Sequence, residues 1–267
     1  LDDFDANIEA HVTLTNKALA DVKTDIIVWP ETSFPADIFK DSLWYPRLQK
    51  IAAQNNSVFV FGAVPFIKDK SFNSAAVLNR HGVLEGRYDK QFLVPISEYR
   101  PAKGFFGLFE GHGFDFTPGT RSEVFAVDGV SPRFGIMICS ETCYPAFTRR
   151  LAQQGADFIL VMLNDGWFIQ PAAIMMHAQN AVMRAVEAGV EIVSVGNTGW
   201  TGRIDAHGVM GSNEQLPLQT TASGIFHVEG HRRSTIYSRI GDFFAEACGL
   251  FVIIFSIFEL RRARRQL

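Results

Sequence analysis

The chain has 267 residues, which is enough for one large domain with a sizeable buried core. Charged residues make up 20% and hydrophobic residues 47%, and this composition excludes a disordered chain, a collagen and a highly charged nucleic-acid-binding protein. The net charge is −3, and three cysteines, an odd number, are too few for a disulfide scaffold.

Short apolar runs alternate with helix-like segments along most of the chain. In chain order, the predicted elements are a helix over 4–22, a strand over 26–29, a helix over 43–54, a strand over 58–64, a hairpin of strands over 75–78 and 83–88, strands over 124–127 and 134–138, a helix over 146–154, a strand over 158–163, a helix over 172–188 and a strand over 191–195. No repeat, low-complexity tract or linker is found before Gly241. Residues 1–242 are therefore predicted to form one α/β domain whose strands are covered by helices.

The C-terminal stretch 243–260 is apolar apart from Glu246 and Glu259. A helix that spans a bilayer needs roughly 20 predominantly apolar residues, so the stretch is only marginally long enough. Four arginines follow within 261–267, and such clusters mark the cytoplasmic flank of a span. We predict a transmembrane helix over 243–260 and a basic cytoplasmic tail over 261–267, which places the preceding domain outside the cytoplasm. A buried or interfacial helix with a solvated basic tail is the alternative.

Four polar residues directly follow predicted strands, where α/β proteins often place functional groups. They are Glu31, Lys90, Cys139 and Asn164, the last of them beside Asp165. Each has a structural explanation, since a carboxylate can cap a loop, a lysine can be solvated and a cysteine can be a small buried side chain. Together they could catalyse attack on a carbonyl. A carboxylate can take the thiol proton, and an ammonium can stabilise both the thiolate and the resulting oxyanion.

Other kinds of site have less support in the sequence. No His/Cys pair has zinc-ligand spacing, so we expect no metal. The glycines interleaved with Phe between positions 104 and 113 are in the wrong register for a phosphate-binding loop, and we expect no cofactor. His177 falls on the predicted 172–188 helix, where packing or capping is its expected role.

Seven short motifs then occur in order along nearly the whole chain. They are WPET at 29–32, YDKQFLVPxxEYxP at 88–101, GxxICxE at 135–141, NDGWF at 164–168, HAQNAVMRAVE at 177–187, NTGWTGRIDAHG at 197–208 and TIYSRIGDF at 235–243. The order Glu31, Lys90, Cys139 resembles the catalytic triad of the carbon–nitrogen hydrolase (nitrilase) superfamily. The finer motifs resemble its membrane-bound apolipoprotein N-acyltransferase family.

This resemblance implies a nitrilase-like catalytic domain over 1–242 that folds as a four-layer α-β-β-α sandwich, followed by one C-terminal transmembrane helix. It also implies that Cys139 is the nucleophile, Glu31 the general base and Lys90 the oxyanion stabiliser. The residues expected to support the site are Glu98, Glu141 and Asn164.

The implied reaction is a two-step acyl transfer. The cysteine takes an acyl chain from a membrane phospholipid as a thioester and passes it to the N-terminal diacylglyceryl-cysteine of an apolipoprotein. Both substrates stay in the bilayer, so a tethered enzyme in the bacterial inner membrane, with its catalytic domain on the periplasmic side, is expected. An apolar, water-poor pocket would suppress hydrolysis of the thioester.

Several features extend or depart from this pattern. Residues 102–114 are rich in Phe and Gly, and we expect a lid in which Phe105 and Phe106 contact lipid; packing on the sandwich is the alternative. Ser140 stands where the family usually has an aromatic residue. The 267 residues do not include the family's N-terminal bundle of membrane helices, so we expect a fragment or a reduced homologue, with the bundle missing or supplied separately. A disulfide between Cys139 and Cys143 is neither predicted nor excluded by their spacing of four residues.

The sequence is also compatible with two functions other than acyl transfer. One is a nitrilase-superfamily amidase that hydrolyses a small C–N bond with the same triad. The dipeptide Ser140-Glu141, the predicted C-terminal span and the arginines beyond it argue against such a soluble relative. The other is a degenerate, membrane-tethered binding domain, which the presence of all three triad residues argues against.

Overall fold

In a computed structural model of the chain, residues 4–100, 115–127, 132–166, 170–218 and 220–264 are described. The helices are α1 (Phe4–Ala18), α2 (Trp44–Asn55), α3 (Pro145–Gln153), α4 (Pro171–Ala188), α5 (Ile236–Ile240) and α6 (Phe243–Arg264), with a 3₁₀ helix at Cys139–Cys143. The strands are β1 (Ile26–Val28), β2 (Val58–Ala63), β3 (Phe66–Ile67), β4 (Lys70–Ser71), β5 (Ser74–Leu78), β6 (Leu84–Asp89), β7 (Val124–Phe125), β8 (Phe134–Ile138), β9 (Phe158–Leu163), β10 (Glu191–Gly196), β11 (Gly202–Ile204) and β12 (Met210–Gln215).

Two mixed sheets form the centre of the domain. The first has the strand order β1-β2-β5-β6, in which β1 and β2 are parallel and the other pairs antiparallel. The second has the order β12-β11-β10-β9-β8-β7, with β8, β9 and β10 parallel. Because β6 is antiparallel to β5 and β5 to β2, the strands β1, β2 and β6 all run in one direction. The carboxyl ends of β1 and β6 therefore lie at the same edge of the first sheet.

Helices cover the outer face of each sheet. Phe59 and Phe61 of β2 pack in one apolar cluster with Ile8 of α1 and Leu48 of α2. The alternate side chains of β2 belong instead to the cluster that contains the second sheet and the helices α3 and α4. Strand side chains alternate between the two faces of a sheet, so each sheet buries both faces. The predicted α-β-β-α sandwich is confirmed.

Most predicted elements are confirmed, with boundaries that shift by a few residues. The strands Phe134–Ile138 and Phe158–Leu163 have the predicted ends. Four strands were not predicted from the sequence. They are the two-residue strands β3 and β4 and the antiparallel pair β11 and β12, which extends the second sheet at one edge. These segments are short or half-exposed, so they lack the continuous apolar run that marks a buried strand.

Helix α6 projects its apolar side chains away from the domain. Within the described ranges it is the single helix that is long and apolar enough to cross a membrane, over Phe243–Arg262, with mean hydropathy 2.1 and no part of it buried. This exposure contradicts the alternative of a C-terminal helix buried in the domain. The helix runs on to Arg264, so the first arginines of the predicted basic tail are helical.

Candidate active site

The site residues lie at the carboxyl ends of strands in both sheets. Glu31 follows β1 and Lys90 follows β6 in the first sheet, and Cys139 directly follows β8 in the second. The Glu31 loop passes very close to β2. A Cβ atom added to Gly62 would lie 2.4 Å from the backbone nitrogen of Thr32, so this approach requires glycine.

Lys90 is the centre of a buried polar cluster. Its Nζ atom donates to Oε1 of Glu98 at 2.9 Å and to Oε1 of Glu31 at 3.3 Å. The Nδ2 group of Asn73 bridges the same two carboxylates, at 2.8 Å from Glu31 and 2.7 Å from Glu98. Lys90 is 1% exposed, Asn73 2%, Glu31 5% and Glu98 8%. Buried charges are stable only when they are paired and hydrogen-bonded, as they are here.

The electrostatic balance at Lys90 keeps its side chain charged. Burial alone lowers the pKa of an ammonium group, but the carboxylates of Glu31 and Glu98 and the neighbouring Cys139 outweigh burial, and the pKa of Lys90 is raised. Lys90 is therefore suited to stabilise anions and not to act as a base.

Cys139 occupies a constrained turn between β8 and the 3₁₀ helix. Its φ angle is +51°, in the left-handed region that residues with a side chain seldom adopt. The side chain is partly exposed and the thiol is free. Burial raises the pKa of this thiol well above its usual value, and the charge of Glu31 raises it further while that of Lys90 lowers it. The resting group is a neutral thiol that needs an adjacent base.

Glu141 holds this turn against the lysine loop. Its Oε2 atom accepts from the backbone nitrogen of Ile138 at 2.8 Å. Its Oε1 atom accepts from Tyr88 Oη at 2.6 Å and from the backbone nitrogens of Gln91 at 2.7 Å and Phe92 at 3.2 Å. Burial raises the pKa of the Glu141 carboxyl, although these four bonds act in the opposite direction. One carboxylate thus joins the loops that carry the amine and the thiol.

Asn164 makes a second connection between the sheets. Its Nδ2 group, just past β9, donates to Oγ1 of Thr32 at 2.8 Å, beside Glu31. Asn164 was expected to support the site, and the structure brings it to the Glu31 loop. The two phenylalanines expected in a lid, Phe105 and Phe106, lie outside the described residues. Cys143 has an exposed free thiol, so no Cys139–Cys143 disulfide is present.

Three further residues belong to this site: Asn73, which was not predicted from the sequence, and Asp165 and His177, for which no role in the site was predicted. Asn73 precedes β5 in a stretch with no catalytic pattern, and no sequence signal pointed to it. Asp165 is 1% exposed, and its Oδ1 atom lies 2.8 Å from Nδ1 of His177, a residue expected only to pack or cap. The Nε2 atom of His177 lies 3.2 Å from the carbonyl oxygen of Cys139. The position of Asp165 two residues after the end of β9 was the available signal.

Asp165, His177 and Cys139 also form a compact group of possible metal ligands. One ligand atom from each lies within 4.8 Å of the other two. Hydrogen bonds account for this arrangement, because both ring nitrogens of His177 lie within hydrogen-bonding distance of oxygen atoms. The geometry fits a polar network better than a metal centre.

Comparison with known proteins identifies the family of the chain. The carbon-nitrogen hydrolase family model matches residues 2–250 of the chain. The chain belongs to the carbon-nitrogen hydrolase family. An apolipoprotein N-acyltransferase of Geobacter metallireducens is 32% identical over 257 residues, which cover 93% of this chain and 48% of the relative. An apolipoprotein N-acyltransferase of Thermotoga maritima is 33% identical over 84% of this chain and 42% of its own length. This family member thus spans about half the length of the curated relatives that it matches.

Solved structures of the family share the fold. An amidase from Nesterenkonia sp. AN1 superimposes with a TM-score of 0.62 at 17% identity, covering 81% of this chain and 84% of the amidase. A glutamine-dependent NAD+ synthetase from Acinetobacter baumannii superimposes with a TM-score of 0.58 at 24% identity, covering 81% of this chain and 41% of the synthetase. These similarities support the sandwich architecture, and the acyltransferase resemblance comes from the more similar curated relatives.

Proposed function

We propose that this carbon-nitrogen hydrolase family member is an N-acyltransferase of lipoprotein maturation. It moves an acyl chain from a phospholipid, through a thioester on Cys139, to the N-terminal diacylglyceryl-cysteine of apolipoproteins. The similarity to curated apolipoprotein N-acyltransferases over 93% of the chain carries this proposal. The buried cluster of Glu31, Lys90 and Glu98 beside a cysteine at a strained turn supports the chemistry.

In the first half-reaction, Glu31 takes the thiol proton as the Cys139 sulfur attacks the ester carbonyl carbon. The C–S bond forms, and the carbonyl oxygen becomes an oxyanion that the Lys90 ammonium stabilises. Collapse of this intermediate breaks the C–O bond to the lysophospholipid, whose alkoxide takes the proton back from Glu31. The thioester remains on Cys139.

In the second half-reaction, the α-amine of the lipoprotein attacks the thioester carbonyl. Glu31 takes a proton from the attacking amine, Lys90 again stabilises the oxyanion, and the C–S bond breaks. The thiolate of Cys139 leaves and takes the proton from Glu31, which yields an amide and restores the neutral thiol. Exclusion of water from the site favours aminolysis of the thioester over its hydrolysis.

The exposed helix α6 supports a location at a membrane. We propose that α6 spans the bacterial inner membrane, with the catalytic domain on the periplasmic side and Arg261 and Arg262 at the cytoplasmic side. Both proposed substrates are anchored in the same bilayer, so tethering raises their effective concentration at the site. Further membrane helices, in the same polypeptide or a partner, would complete the lipid-facing surface.

An acyl-labelling experiment tests this function. The protein is reconstituted in vesicles with a phospholipid that carries a radiolabelled acyl chain, and the label on the protein is measured before and after hydroxylamine treatment. We expect hydroxylamine-labile label in the wild type and in Cys143→Ser, whose thiol is exposed and outside the cluster, and none in Cys139→Ala. Addition of a diacylglyceryl peptide should discharge the label onto its amine.

A different result would support an amidase. Wild-type protein without acyl label, but with turnover of a small amide that depends on Cys139, would replace the acyltransferase proposal with hydrolysis by the same residues. Absence of both activities in folded protein would favour a tethered binding domain.

A further inference from the structure

The turn that carries Cys139 is fixed by side chains from α4. The carbonyl oxygen of Cys139 accepts from Oγ1 of Thr142 at 3.1 Å and contacts Nε2 of His177 at 3.2 Å. One turn further along the 3₁₀ helix, the carbonyl oxygen of Thr142 accepts from the buried guanidinium of Arg184 at 3.0 Å. A left-handed φ angle at a residue with a side chain is unfavourable and persists only when the surroundings enforce it. Helix α4 provides part of that enforcement.

The partners of His177 decide its protonation state. A carbonyl oxygen has no proton to donate, so Nε2 must carry a proton to bond to Cys139. An ionised carboxylate is likewise only an acceptor, so Nδ1 must carry a second proton to bond to Asp165. A ring with protons on both nitrogens is an imidazolium cation. In agreement, burial lowers the pKa of His177, but the hydrogen bond and charge of Asp165 outweigh burial and the pKa is raised.

This cation lies next to the reactive sulfur. A ring nitrogen of His177 and a carboxylate oxygen of Asp165 are each within 4.8 Å of the Cys139 thiol group. Asp165 is buried, and its negative charge opposes formation of a thiolate, as does that of Glu31. The imidazolium balances the charge of Asp165 at this point. Among the described residues, the charges of Asp165 after β9 and Glu31 after β1 raise the pKa of His177, and so does its hydrogen bond to the backbone carbonyl of Cys139.

We propose that Asp165 and His177 form a positioning pair for Cys139. The imidazolium holds the backbone of the nucleophile in place and lowers the free-energy cost of forming the thiolate. This inference rests on the proposed role of Cys139 as the nucleophile. Neither residue touches the bond that is made or broken. Removing His177 alone leaves the Asp165 carboxylate uncompensated beside the sulfur, whereas removing both charges together does not. Loss of His177 alone should therefore hinder ionisation of the Cys139 thiol more than loss of both Asp165 and His177.

The test measures alkylation of Cys139 by iodoacetamide as a function of pH, because only the thiolate reacts. It uses vesicle-reconstituted protein with Cys143→Ser and Cys248→Ser, which removes the two exposed thiols. We expect His177→Gln to raise the apparent thiol pKa by about one unit, a roughly tenfold loss of rate below the inflection. The double variant Asp165→Asn/His177→Gln should recover much of that loss. His207→Gln, at an exposed histidine beside Asp205, is the matched control and should leave the profile unchanged.

Two results would overturn the proposal. One is a His177→Gln profile that superimposes on that of the control, and the other is a double variant at least as slow as the single one, which a packing role predicts. If His177→Gln fails to fold, the pKa of His177 is measured instead in the parent protein, by hydrogen–deuterium exchange at the imidazole C2 position. His177 must stay protonated above the ordinary histidine pKa of about 6.5, and titration at or below that value refutes the pair. Alkylation needs no acyl donor, so failure of the proposed acyltransferase activity would be seen separately.

Discussion

Replacing Glu141 with Gln tests whether one carboxylate holds the two catalytic loops together. Its two oxygens accept from four donors: Ile138 N on one oxygen, and Tyr88 Oη, Gln91 N and Phe92 N on the other. A glutamine has one oxygen and one NH₂ group. Whichever way the amide is turned, its nitrogen faces a donor, and at least one buried N–H or O–H group loses its acceptor.

The expected loss of stability follows from these contacts. The less costly orientation turns the NH₂ group toward Ile138, and the backbone N–H of Ile138 then lacks an acceptor, at a cost of about 1–3 kcal/mol. The three hydrogen bonds to the other oxygen remain, but they become weaker because their acceptor is no longer charged. The raised pKa of Glu141 shows that burial of its charge is not fully offset, and a neutral side chain avoids part of that cost. We expect a net loss of about 2–4 kcal/mol, which lowers Tm by about 5–15 °C in a domain of this size.

Thermal unfolding followed by circular dichroism, in the same detergent for every variant, measures this loss. Glu9→Gln is the matched control, because Glu9 pairs with Arg47 at the surface and such pairs contribute little. A Tm for Glu141→Gln within about 2 °C of the control would refute the reasoning, since a satisfied buried carboxylate cannot then be what holds the loops. The acyl-labelling rate should fall together with Tm.

Three further outcomes are expected. Gly62→Ala pushes a methyl group into the backbone of the Glu31 loop and should abolish acyl labelling, whereas Gly249→Ala, which meets nothing within 4 Å, should leave it unchanged; equal labelling in both would contradict the close approach. Asn73→Leu removes the amide between two buried carboxylates and should slow labelling at least roughly tenfold while iodoacetamide still reaches the thiol, and an unchanged labelling rate would show that Lys90 alone holds them. Truncation after Asp242 should leave the domain in the soluble fraction of a vesicle flotation assay in which the full chain floats, and co-flotation of the truncated chain would locate the membrane contact elsewhere.

The central strands could be predicted because both of their faces are buried. Continuous apolar runs such as Phe134–Ile138 and Phe158–Leu163 mark strands covered on two sides, and their ends were placed correctly. The edge pair β11 and β12 could not be found in this way, because polar, half-buried side chains such as Arg203 and Glu214 interrupt its apolar pattern. The left-handed turn at Cys139 has no sequence signature either, since it contains no glycine and depends on contacts with α4 and Glu141.

The residues of the candidate site likewise fall into two groups, those that local sequence indicates and those that only tertiary contacts bring into the site. Glu31, Lys90 and Cys139 follow strand ends and fall in recognisable motifs, so local sequence pointed to each of them. Asn73 and His177 owe their place to tertiary contacts. Asn73 meets the carboxylates only when β5 and β6 pair, and His177 meets Asp165 only when α4 packs over the end of β9. Side chains that position others are defined by partners distant in sequence, so a single sequence carries little sign of them.

In the proposed mechanism, the distribution of charge explains how a thiol with a raised pKa can become a thiolate. Glu31 and Glu98 share the ammonium of Lys90, and the proposed imidazolium of His177 would compensate the charge of Asp165. Transfer of the proton from Cys139 to Glu31 therefore moves one negative charge from a carboxylate to a sulfur, and the total charge of the buried cluster does not change. Creating a new charge in a low-dielectric site is costly, whereas relocating one between two positions near the same cation is much less so. Glu98 keeps Lys90 charged and in place when Glu31 becomes neutral, which gives the second carboxylate a reason to be present.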